Sequence, residues 1–324
     1  MSGGETVETR QRNRVLLTGG TGMIGATLAA RLVAEGDRVS VLVREDSSRL
    51  RLQSLNGQVH LLFADICDAN AVRAAVEQAE PTAVYHLAST PFNPPTMSAQ
   101  QHLNVIVGGT LNLLEALRDR PGVRMIAAGS AAEYGAGSSL REDHPLTPTT
   151  VLGAAKAAAT LFLQTYARLY RMQTVILRVF TPYGPWERRS RLVPSTILSA
   201  LEGRDVLLTN GTQRRDYFYV EDLIDAMVLA ATKPIPPGTV LNICAGQSVP
   251  IQEIAQHILD LMESRVKVVT GALPTRADEI WELSGDNTAA REALGWAPRT
   301  NLEEGLRNTI AWVTQHQELA RQLT

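Results

Sequence analysis

The residues Thr18-Gly19-Gly20-Thr21-Gly22-Met23-Ile24-Gly25 form a glycine-rich segment near the start of the chain. It follows a short apolar run and precedes apolar residues at helical spacing, which is the strand–turn–helix context of a dinucleotide-binding motif. Gly19 permits the tight turn, Gly22 lets the backbone approach a pyrophosphate, and Gly25 lets the helix lie close to the strand. The unbonded amides at the start of the helix then face the phosphates.

A glycine turn between a strand and a helix also occurs in proteins that bind no dinucleotide. The surrounding pattern therefore decides whether this turn is a dinucleotide-binding motif or an ordinary strand-to-helix turn. Strand-like segments lie at residues 38–43, 59–63, 83–87, 123–128 and 174–179, and helix-like segments lie at about 98–118 and 150–171. Strands that alternate with helices of this length predict an α/β fold, a Rossmann-like doubly wound parallel sheet. This alternation favours the dinucleotide-binding interpretation.

The pattern changes after Phe180, where short elements and turn signals replace the long alternation. We therefore predict a dinucleotide-binding domain over residues 14–180. Residues 181–324 are predicted to form a smaller mixed substrate-binding region that is intertwined with the first domain. Residues 1–13 are polar and are predicted to form a disordered leader rather than a signal peptide.

The composition is that of an ordinary globular protein. Of 324 residues, 44% are hydrophobic and 20% are charged, and the net charge is −2. This charge gives no electrostatic argument for binding nucleic acid or an anionic membrane. The two cysteines, Cys67 and Cys244, lie far apart, which argues against a disulfide framework and against a metal site. Without an apolar run of about 20 residues a membrane span is not expected, and we predict a cytoplasmic protein.

The end of the second strand bears on the choice between NAD and NADP. In NAD-binding sites an acidic residue at this place holds the adenosine ribose hydroxyls. Here Val43 ends the strand and Arg44 follows, and an arginine can pair with a ribose phosphate. The sequence therefore favours NADP over NAD, although Arg44 is also typical of a solvated loop. After the third strand, Asp65 is placed either to accept from the adenine amino group or to cap the helix that starts near Ala69.

Several further motifs occur along the chain. They are His86-Leu87-Ala88, Gly109-Thr110-Leu111-Asn112, Tyr183-Gly184-Pro185, Arg215-Asp216-Tyr217 and Leu294-Gly295-Trp296-Ala297-Pro298. Together with the glycine motif they resemble the extended short-chain dehydrogenase/reductase family, in particular its nucleotide-sugar epimerases, dehydratases and ketoreductases. The resemblance covers residues 14–315 and implies a bound NADP or NAD, a nucleoside-diphosphate sugar substrate and a homodimer.

The resemblance implies that a serine or threonine, a tyrosine and a lysine act on the sugar. Ser130 matches the serine, which bonds the reacting oxygen, and Lys156 matches the lysine, which also holds the nicotinamide ribose. The tyrosine of the family's Tyr-x-x-x-Lys pattern is replaced by Leu152, which cannot transfer a proton. The Asp-Glu pair of sugar dehydratases is replaced by Ala131 and Ala132, so an ordinary dehydration is less expected.

Three side chains are candidates for the missing proton-transfer group. Tyr134 follows Ser130 on the same loop, and Tyr183 lies on a loop that the resemblance places over the sugar. Glu133 is a base if burial raises its pKa, and otherwise it is a solvated carboxylate. His86 belongs to a motif beside the cofactor, for which a structural role is the preferred interpretation.

The resemblance also assigns binding residues. For the cofactor they are Gly19, Thr21, Gly22, Met23, Ile24, Arg44, Asp65, Ile66, Leu87, Ala88 and Lys156. For the substrate they are Ser130, Thr181, Leu192, Val193, Arg215 and Arg276. The two arginines are expected to bind the diphosphate because a guanidinium group suits paired oxygens, whereas their alternative role is a surface ion pair.

We therefore predict an NAD(P)-dependent enzyme that modifies a nucleoside-diphosphate sugar, as an epimerase or ketoreductase rather than a dehydratase. One alternative, suggested by Leu152, is a catalytically impaired protein that binds a nucleotide sugar or a dinucleotide. Another is an NADP-dependent reductase of a non-sugar ketone. The long helices carry apolar stripes, including Leu161 and Leu169, that predict either a homodimer interface or packing onto the sheet.

Overall fold

The computed structural model of the chain describes residues 13–90 and 97–324. The strands are β1 (Arg14–Thr18), β2 (Arg38–Val43), β3 (His60–Phe63), β4 (Ala83–His86), β5 (Arg124–Ser130), β6 (Gly137–Leu140), β7 (Gln173–Val179), β8 (Thr181–Tyr183), β9 (Val206–Leu207), β10 (Arg214–Arg215), β11 (Tyr217–Tyr219), β12 (Thr239–Ile243), β13 (Val249–Pro250), β14 (Val268–Val269) and β15 (Glu282–Gly285). The predicted leader, apart from Asn13, lies outside the described residues.

The helices alternate with the strands in the first half of the chain. They are α1 (Met23–Ala34), α2 (Ala69–Ala79), α3 (Ala99–His102), α4 (Gly109–Leu117), α5 (Val151–Tyr170), α6 (Leu192–Leu201), α7 (Val220–Thr232), α8 (Ile251–Leu261), α9 (Thr288–Leu294), α10 (Leu302–Gln315) and α11 (Gln317–Gln322). A π-helical turn, Leu103–Gly108, joins α3 to α4, so the helix predicted near 98–118 is present in three consecutive pieces. Short 3-10 turns lie at Leu50–Leu55 and Ala131–Glu133.

Within the described residues, seven parallel strands form one sheet in the order β12-β7-β5-β4-β1-β2-β3. The chain winds from β1 to β3 in one direction, crosses over, and continues from β4 to β12 in the other. The predicted doubly wound sheet is therefore confirmed. Its winding direction reverses between β1 and β4, and in such sheets ligands bind at the carboxyl ends of the strands at this point.

Both faces of the sheet are covered because neighbouring side chains on each central strand enter opposite apolar layers. Leu17 and Ile126 belong to the layer that includes α1, α7 and α9, whereas Leu16 and Met125 belong to the layer that includes α2, α4 and α5. All four side chains are buried. A parallel strand covered on both faces requires such a continuous apolar run.

Two elements from the second half of the chain pack with the large sheet and its helices. β12 pairs with β7 at the edge of the large sheet. α7 adds its apolar face to the same core as α1, and Arg31 Nη1 lies 3.0 Å from Asp225 Oδ1 between these two helices. β12 and α7, which follow residue 180 in the chain, thus pack with the part that is built mainly from residues 14–180.

The rest of the second half forms a smaller part with its own core. Its main sheet has the order β13-β10-β15-β6, in which β6 comes from the first half of the chain. The helices α6, α8 and α10 pack together through Val193, Ile197, Ile254 and Leu306. Among the described helices, none combines the length and the apolar content needed to cross a membrane.

Candidate active site

The glycine turn joins β1 to α1 at the carboxyl edge of the large sheet. Gly19 has a φ of +74°, and a Cβ there would lie 2.5 Å from the carbonyl carbon of Leu87. A Cβ on Gly25 would lie 2.3 Å from the Gly19 oxygen, so α1 approaches the turn as closely as predicted. A Cβ on Gly22 would have the Gly19 oxygen at an ordinary 3.5 Å. The protein's own packing thus requires Gly19 and Gly25 to lack a side chain, but not Gly22.

The start of α1 fits the pyrophosphate of a dinucleotide. Gly22 is the N-cap residue, and no side chain of the described residues caps the helix. The first turn contains Met23 and Ile24 and carries no acidic residue that would repel an anion. The free amides and the positive end of the helix dipole favour a phosphate at this place. The start of α1 is therefore suited to a phosphate, and the contact of residues 21–24 with the cofactor stays a prediction.

His86, at the end of β4, connects three elements beside this turn. Its Nδ1 lies 2.8 Å from Thr18 Oγ1, and its Nε2 lies 3.0 Å from Thr110 Oγ1. The Ala88 amide donates to the same Thr18 hydroxyl at 3.2 Å. Burial and the nearby Lys156 cation lower the pKa of His86 to about 3, so the imidazole is neutral at physiological pH. These contacts support the structural role preferred from the sequence.

The segment after β3 packs against α4. A Cβ on Gly109 would lie 2.7 Å from Ile66 Cγ1, and Asn112 Nδ2 donates to the Ile66 carbonyl at 2.8 Å. Asp65 is exposed, and the residue that caps α2 is Asp68. This corrects the alternative in which Asp65 is the helix cap. Contact with the adenine amino group remains its predicted role.

The end of β5 carries Ser130 and is contacted by Lys156 of α5. Ser130 ends this strand, and Lys156 Nζ donates to the carbonyl of Ala128 on the same strand at 2.7 Å. Ser130 Oγ accepts a hydrogen bond from the Ala132 amide at 3.2 Å, which keeps its hydroxyl proton available for a ligand. Burial lowers the pKa of Lys156 from 10.5 to about 8, against the opposite effect of the Glu133 carboxylate. A lysine with this pKa can exchange a proton near neutral pH.

Leu152 lies one helical turn before Lys156 at the start of α5. It is buried in a small apolar cluster with Ile106 and Ala132. The position that the resemblance gives to a tyrosine therefore contributes packing and no titratable group.

Glu133 is fully buried, and all of its described contacts are structural. Its Oε1 accepts from the Ser130 amide at 2.8 Å, and its Oε2 accepts from Thr160 Oγ1 at 3.0 Å and from Arg178 Nε at 2.9 Å. This corrects both predicted roles, because a carboxylate held in a buried ion pair is neither a solvated group nor a base facing the sugar. Glu133 instead fixes the Ser130 loop to α5 and β7.

Tyr134 belongs to the same buried network. Its hydroxyl donates to Asn242 Oδ1 at 2.8 Å and accepts from Arg178 Nη1 at 2.8 Å, and Arg178 Cζ lies 4.6 Å from the ring centroid. Burial raises the pKa of Tyr134 to about 12. The prediction that Tyr134 carries the catalytic proton is therefore corrected: its hydroxyl is engaged inside the protein.

Tyr183 is also placed against the protein rather than over a substrate. Its hydroxyl donates to the Leu302 carbonyl at 3.0 Å, and a Cβ on Gly305 would lie 2.2 Å from that hydroxyl. Burial raises the pKa of Tyr183. Its predicted role as proton carrier is corrected for the same reason as that of Tyr134. Thr181, on the same strand, is buried and donates its amide to the Asp216 carbonyl at 3.1 Å.

Arg215 and Arg276 converge on one carboxylate. Arg215 Nη2 lies 2.6 Å from Glu279 Oε1, and Arg276 Nη2 lies 3.5 Å from Glu279 Oε2. The arginine side chains are 17% and 36% exposed, so a ligand can reach both. Burial lowers the pKa of Arg215, and Glu279 counteracts this effect. The structure thus brings together the two guanidinium groups that the sequence assigns to a diphosphate.

The remaining predicted contacts differ in their exposure. Val193 is buried in the core of the smaller part, whereas Leu192, at the start of α6, is half-buried. Arg44, after β2, is exposed, and its Nε lies 3.2 Å from Asp46 Oδ1. Exposed ion pairs of this kind are weak, so Asp46 leaves Arg44 able to bind another anion.

Comparison with known proteins identifies the family. The sequence profile of the NAD-dependent epimerase/dehydratase family matches residues 15–244. The chain belongs to this family. UDP-glucose 4-epimerase of Mycolicibacterium smegmatis is 30% identical over 315 residues, which cover 92% of this chain and 97% of that protein. UDP-N-acetyl-alpha-D-glucosaminuronate decarboxylase of Bacillus cytotoxicus is 29% identical over 318 residues, which cover 93% of this chain and 98% of that protein.

A solved structure agrees with this assignment. MoeE5 in complex with UDP-glucuronic acid and NAD is 28% identical, with a TM-score of 0.84 over 93% of this chain and 99% of that chain. The epimerase/dehydratase family and the Rossmann-like fold predicted from the motifs are therefore confirmed.

The sequence motifs do not predict the partners of several site residues. Arg178 is the one charged residue of β7 and follows the apolar run Val175–Leu177; such a buried cation needs an acid, which is Glu133. Glu279 follows Arg276 at a spacing typical of a local ion pair. Asp216 accepts from the Ala245 amide at 2.7 Å and thereby fixes the backbone next to Arg215, although the motif gave no hint of this role.

Proposed function

We propose that the chain is an NAD(P)-dependent enzyme that modifies a nucleoside-diphosphate sugar by hydride transfer at a sugar carbon, as an epimerase or a ketoreductase. The observation that carries this proposal is the convergence of Arg215 and Arg276 on Glu279, in a chain whose Lys156 is bonded to the carbonyl of Ala128, two residues before Ser130. Two guanidinium groups at one place suit the paired oxygens of a diphosphate. The names of the relatives, which are UDP-sugar enzymes, support the same substrate class.

The proposed chemistry uses the residues that remain accessible. When bound, the nicotinamide supplies the hydride acceptor and donor. Ser130 Oγ bonds the reacting sugar oxygen, and Lys156, whose pKa burial lowers to about 8, takes up or returns the proton through that hydroxyl. This route follows by elimination, because Leu152 has no titratable group and because Glu133 and Tyr134 are engaged in the buried network.

An ordinary sugar dehydration is the weaker proposal for this site. Ala131 and Ala132 follow Ser130 in a short 3-10 turn and are both buried. An elimination of water needs an acid and a base beside the leaving hydroxyl, and alanine supplies neither. Epimerisation and ketone reduction need only the hydride and one proton.

For the cofactor we propose that NADP binds at least as tightly as NAD. Val43, at the end of β2, supplies no carboxylate for the ribose hydroxyls, and Arg44 offers a charge to a ribose phosphate. Dissociation constants of NAD and NADP for the wild type and for Arg44→Ala test this. We expect the substitution to weaken NADP more than NAD; an equal effect on both would contradict the proposal.

We also propose a homodimer through α5. Leu163 and Ala167 are buried against the sheet side, whereas Leu161 and Leu169 are 54% and 67% exposed on the opposite side. Exposed leucines at this spacing form an apolar stripe that a second copy would cover. We expect sedimentation to give a dimer for the wild type and a monomer for the variant Leu161→Glu/Leu169→Glu. A monomeric wild type would refute this assembly.

The function is tested by turnover in heavy water. The full chain is incubated with a panel of nucleotide sugars, and products are analysed by mass spectrometry and chromatography. An isomeric product or a two-hydrogen mass change is expected, and Lys156→Met should abolish it. Lys233→Met, at an exposed lysine, is the matched control and should retain it.

A second candidate function, favoured by Leu152, is a protein that binds a nucleotide sugar without converting it. It predicts that the wild type binds both dinucleotide and sugar nucleotide and gives no product in any incubation. If no sugar nucleotide binds at all, the diphosphate role of Arg215 and Arg276 is wrong and both candidates fail.

A further inference from the structure

Arg51 connects the two parts of the molecule beside the glycine turn. It lies in the 3-10 turn Leu50–Leu55 and is 8% exposed. Its Nε donates to the Trp186 carbonyl at 2.8 Å, and its Nη1 donates to the Thr21 carbonyl at 3.3 Å. One buried guanidinium group thus joins the glycine turn to the loop that follows β8.

The rest of this guanidinium group is not satisfied by the described residues. Arg51 Nη2 is buried and has no hydrogen-bond partner among residues 13–90 and 97–324. The charged group that acts on it is another cation, Arg188, on the same loop as Trp186. Burial, together with Arg188, lowers the pKa of Arg51 to about 10, so the group remains charged at neutral pH.

A buried cation of this kind is costly unless an anion or an acceptor meets it. The other contacts of Arg51 go to backbone carbonyls, which are neutral acceptors. Its neighbourhood supplies a second positive charge. The charge balance therefore calls for a negatively charged ligand at the glycine turn.

We propose that Arg51, with Arg188 beside it, binds the pyrophosphate of the dinucleotide. The proposal rests on the dinucleotide-binding role in the proposed function and adds to it residues that no motif of the sequence assigned. The Thr21 carbonyl that Arg51 holds lies in the turn directly before α1, whose first amides, from Met23 onward, are the predicted donors to the phosphates. An arginine with one arm fixed to the turn and another unbonded is placed to complete the same phosphate site.

The ribose 2′-phosphate of NADP is the other phosphate group that a buried arginine could bind. It would lie at the end of β2, where Arg44 is the nearest predicted ligand. Arg51 contacts the turn before α1 and not the end of β2 in the described structure. This favours the pyrophosphate, which is common to NAD, NADP and ADP-ribose.

The test measures dissociation constants of NAD, NADP and ADP-ribose for the full chain by titration calorimetry. We expect Arg51→Gln to weaken all three by the same factor, about 10- to 100-fold, because a charge-assisted hydrogen bond to a buried anion is lost. Arg51→Lys keeps the positive charge but lacks the planar guanidinium group, so it should weaken the binding of the three ligands less. Arg307→Gln, at an exposed arginine of α10 paired with Glu303, is the matched control and should leave all three unchanged.

The outcomes separate the possible roles of Arg51. A loss confined to NADP would move the contact to the 2′-phosphate and overturn the proposal. Unchanged affinity for all three ligands together with lower stability would show that Arg51 has only a structural role, and this would also overturn the proposal. If the Arg51 variants fold poorly, the test uses Arg188→Gln, at an exposed position. We expect this variant to bind all three ligands about 3-fold more weakly, and unchanged affinity would count against the proposed phosphate site.

This experiment is independent of sugar turnover. If the wild type binds ADP-ribose and Arg51→Gln does not, the proposal stands even when no sugar is converted. If the wild type converts a sugar and Arg51→Gln binds dinucleotide as the wild type does, the proposed function stands and the phosphate role of Arg51 falls.

Discussion

Replacing Glu133 by glutamine separates its structural role from a catalytic one. The side chain is fully buried, and Arg178 is 4% exposed, so the pair is shielded from solvent. Glutamine can still accept from the Ser130 amide, but it offers no second acceptor oxygen for Thr160 and Arg178. The guanidinium group of Arg178 is then left buried without its counter-ion.

The expected cost follows from this geometry. Removing one partner of a buried ion pair destabilises a protein by about 3–5 kcal/mol, because the remaining charge is uncompensated. That is a large fraction of the about 5–15 kcal/mol by which a native domain is usually stable. We expect Arg178→Met to cost a similar amount, since it leaves the Glu133 carboxylate buried and also removes the contact to Tyr134.

The assay is equilibrium urea unfolding of the full chain, followed by tryptophan fluorescence and circular dichroism. The double variant Glu133→Leu/Arg178→Met should cost less than the sum of the single variants, because neither charge is left alone. Glu303→Gln, which breaks an exposed pair on α10, is the matched control and should change the free energy of unfolding little.

Two results would refute this reasoning. One is a single variant that costs less than about 1 kcal/mol, which would show that the pair is not buried as described. The other is Glu133→Gln with wild-type stability and no turnover, which would return Glu133 to the role of a catalytic base.

Three further predictions concern other places in the site. Leu152→Tyr should leave dinucleotide binding unchanged and raise the hydride-transfer rate about 10-fold or more, measured by rapid-mixing absorbance of the cofactor. An active variant with the hydride-transfer rate of the wild type would contradict the placement of Leu152. Gly25→Ala, whose Cβ would lie 2.3 Å from the Gly19 oxygen, should lower the free energy of unfolding by about 1–3 kcal/mol, whereas Gly22→Ala should keep stability and lose dinucleotide affinity. Burial raises the pKa of Glu187 from 4.5 to about 7, so its contribution to stability is present below pH 4.5 and is lost as the pH rises through 7. In urea unfolding, Glu187→Gln should reduce the fall in the free energy of unfolding between these pH values by up to about 3 kcal/mol. The same pH dependence in the variant and the wild type would argue against this pKa shift.

The predictions that succeeded rest on local patterns. A glycine turn between an apolar strand and a helix is encoded within a few residues, so Gly19 and Gly25 have the roles that their spacing predicted. The alternation of strands and helices determined the doubly wound sheet, because a parallel pair needs a crossover of that length. The spacing of Leu152 and Lys156 on one helix also follows from the sequence alone.

The candidate proton carriers show where local patterns stop. Glu133 and Tyr134 stand next to Ser130 in the chain, and sequence proximity suggested that they share its chemistry. Their partners, Arg178 and Asn242, lie on other strands of the large sheet, so no short-range pattern shows that both side chains point into the protein.

The family and the doubly wound fold follow from the sequence alone, because both rest on motifs and on the alternation of strands and helices. The tertiary structure was needed to show which side chains meet inside the protein. Arg51 is bonded to the Trp186 carbonyl, and Arg215 meets Arg276 through Glu279, although these residues are far apart in the chain. The reason is physical: periodicity and turn chemistry act between neighbours, whereas burial and charge pairing depend on every chain segment that packs around a side chain.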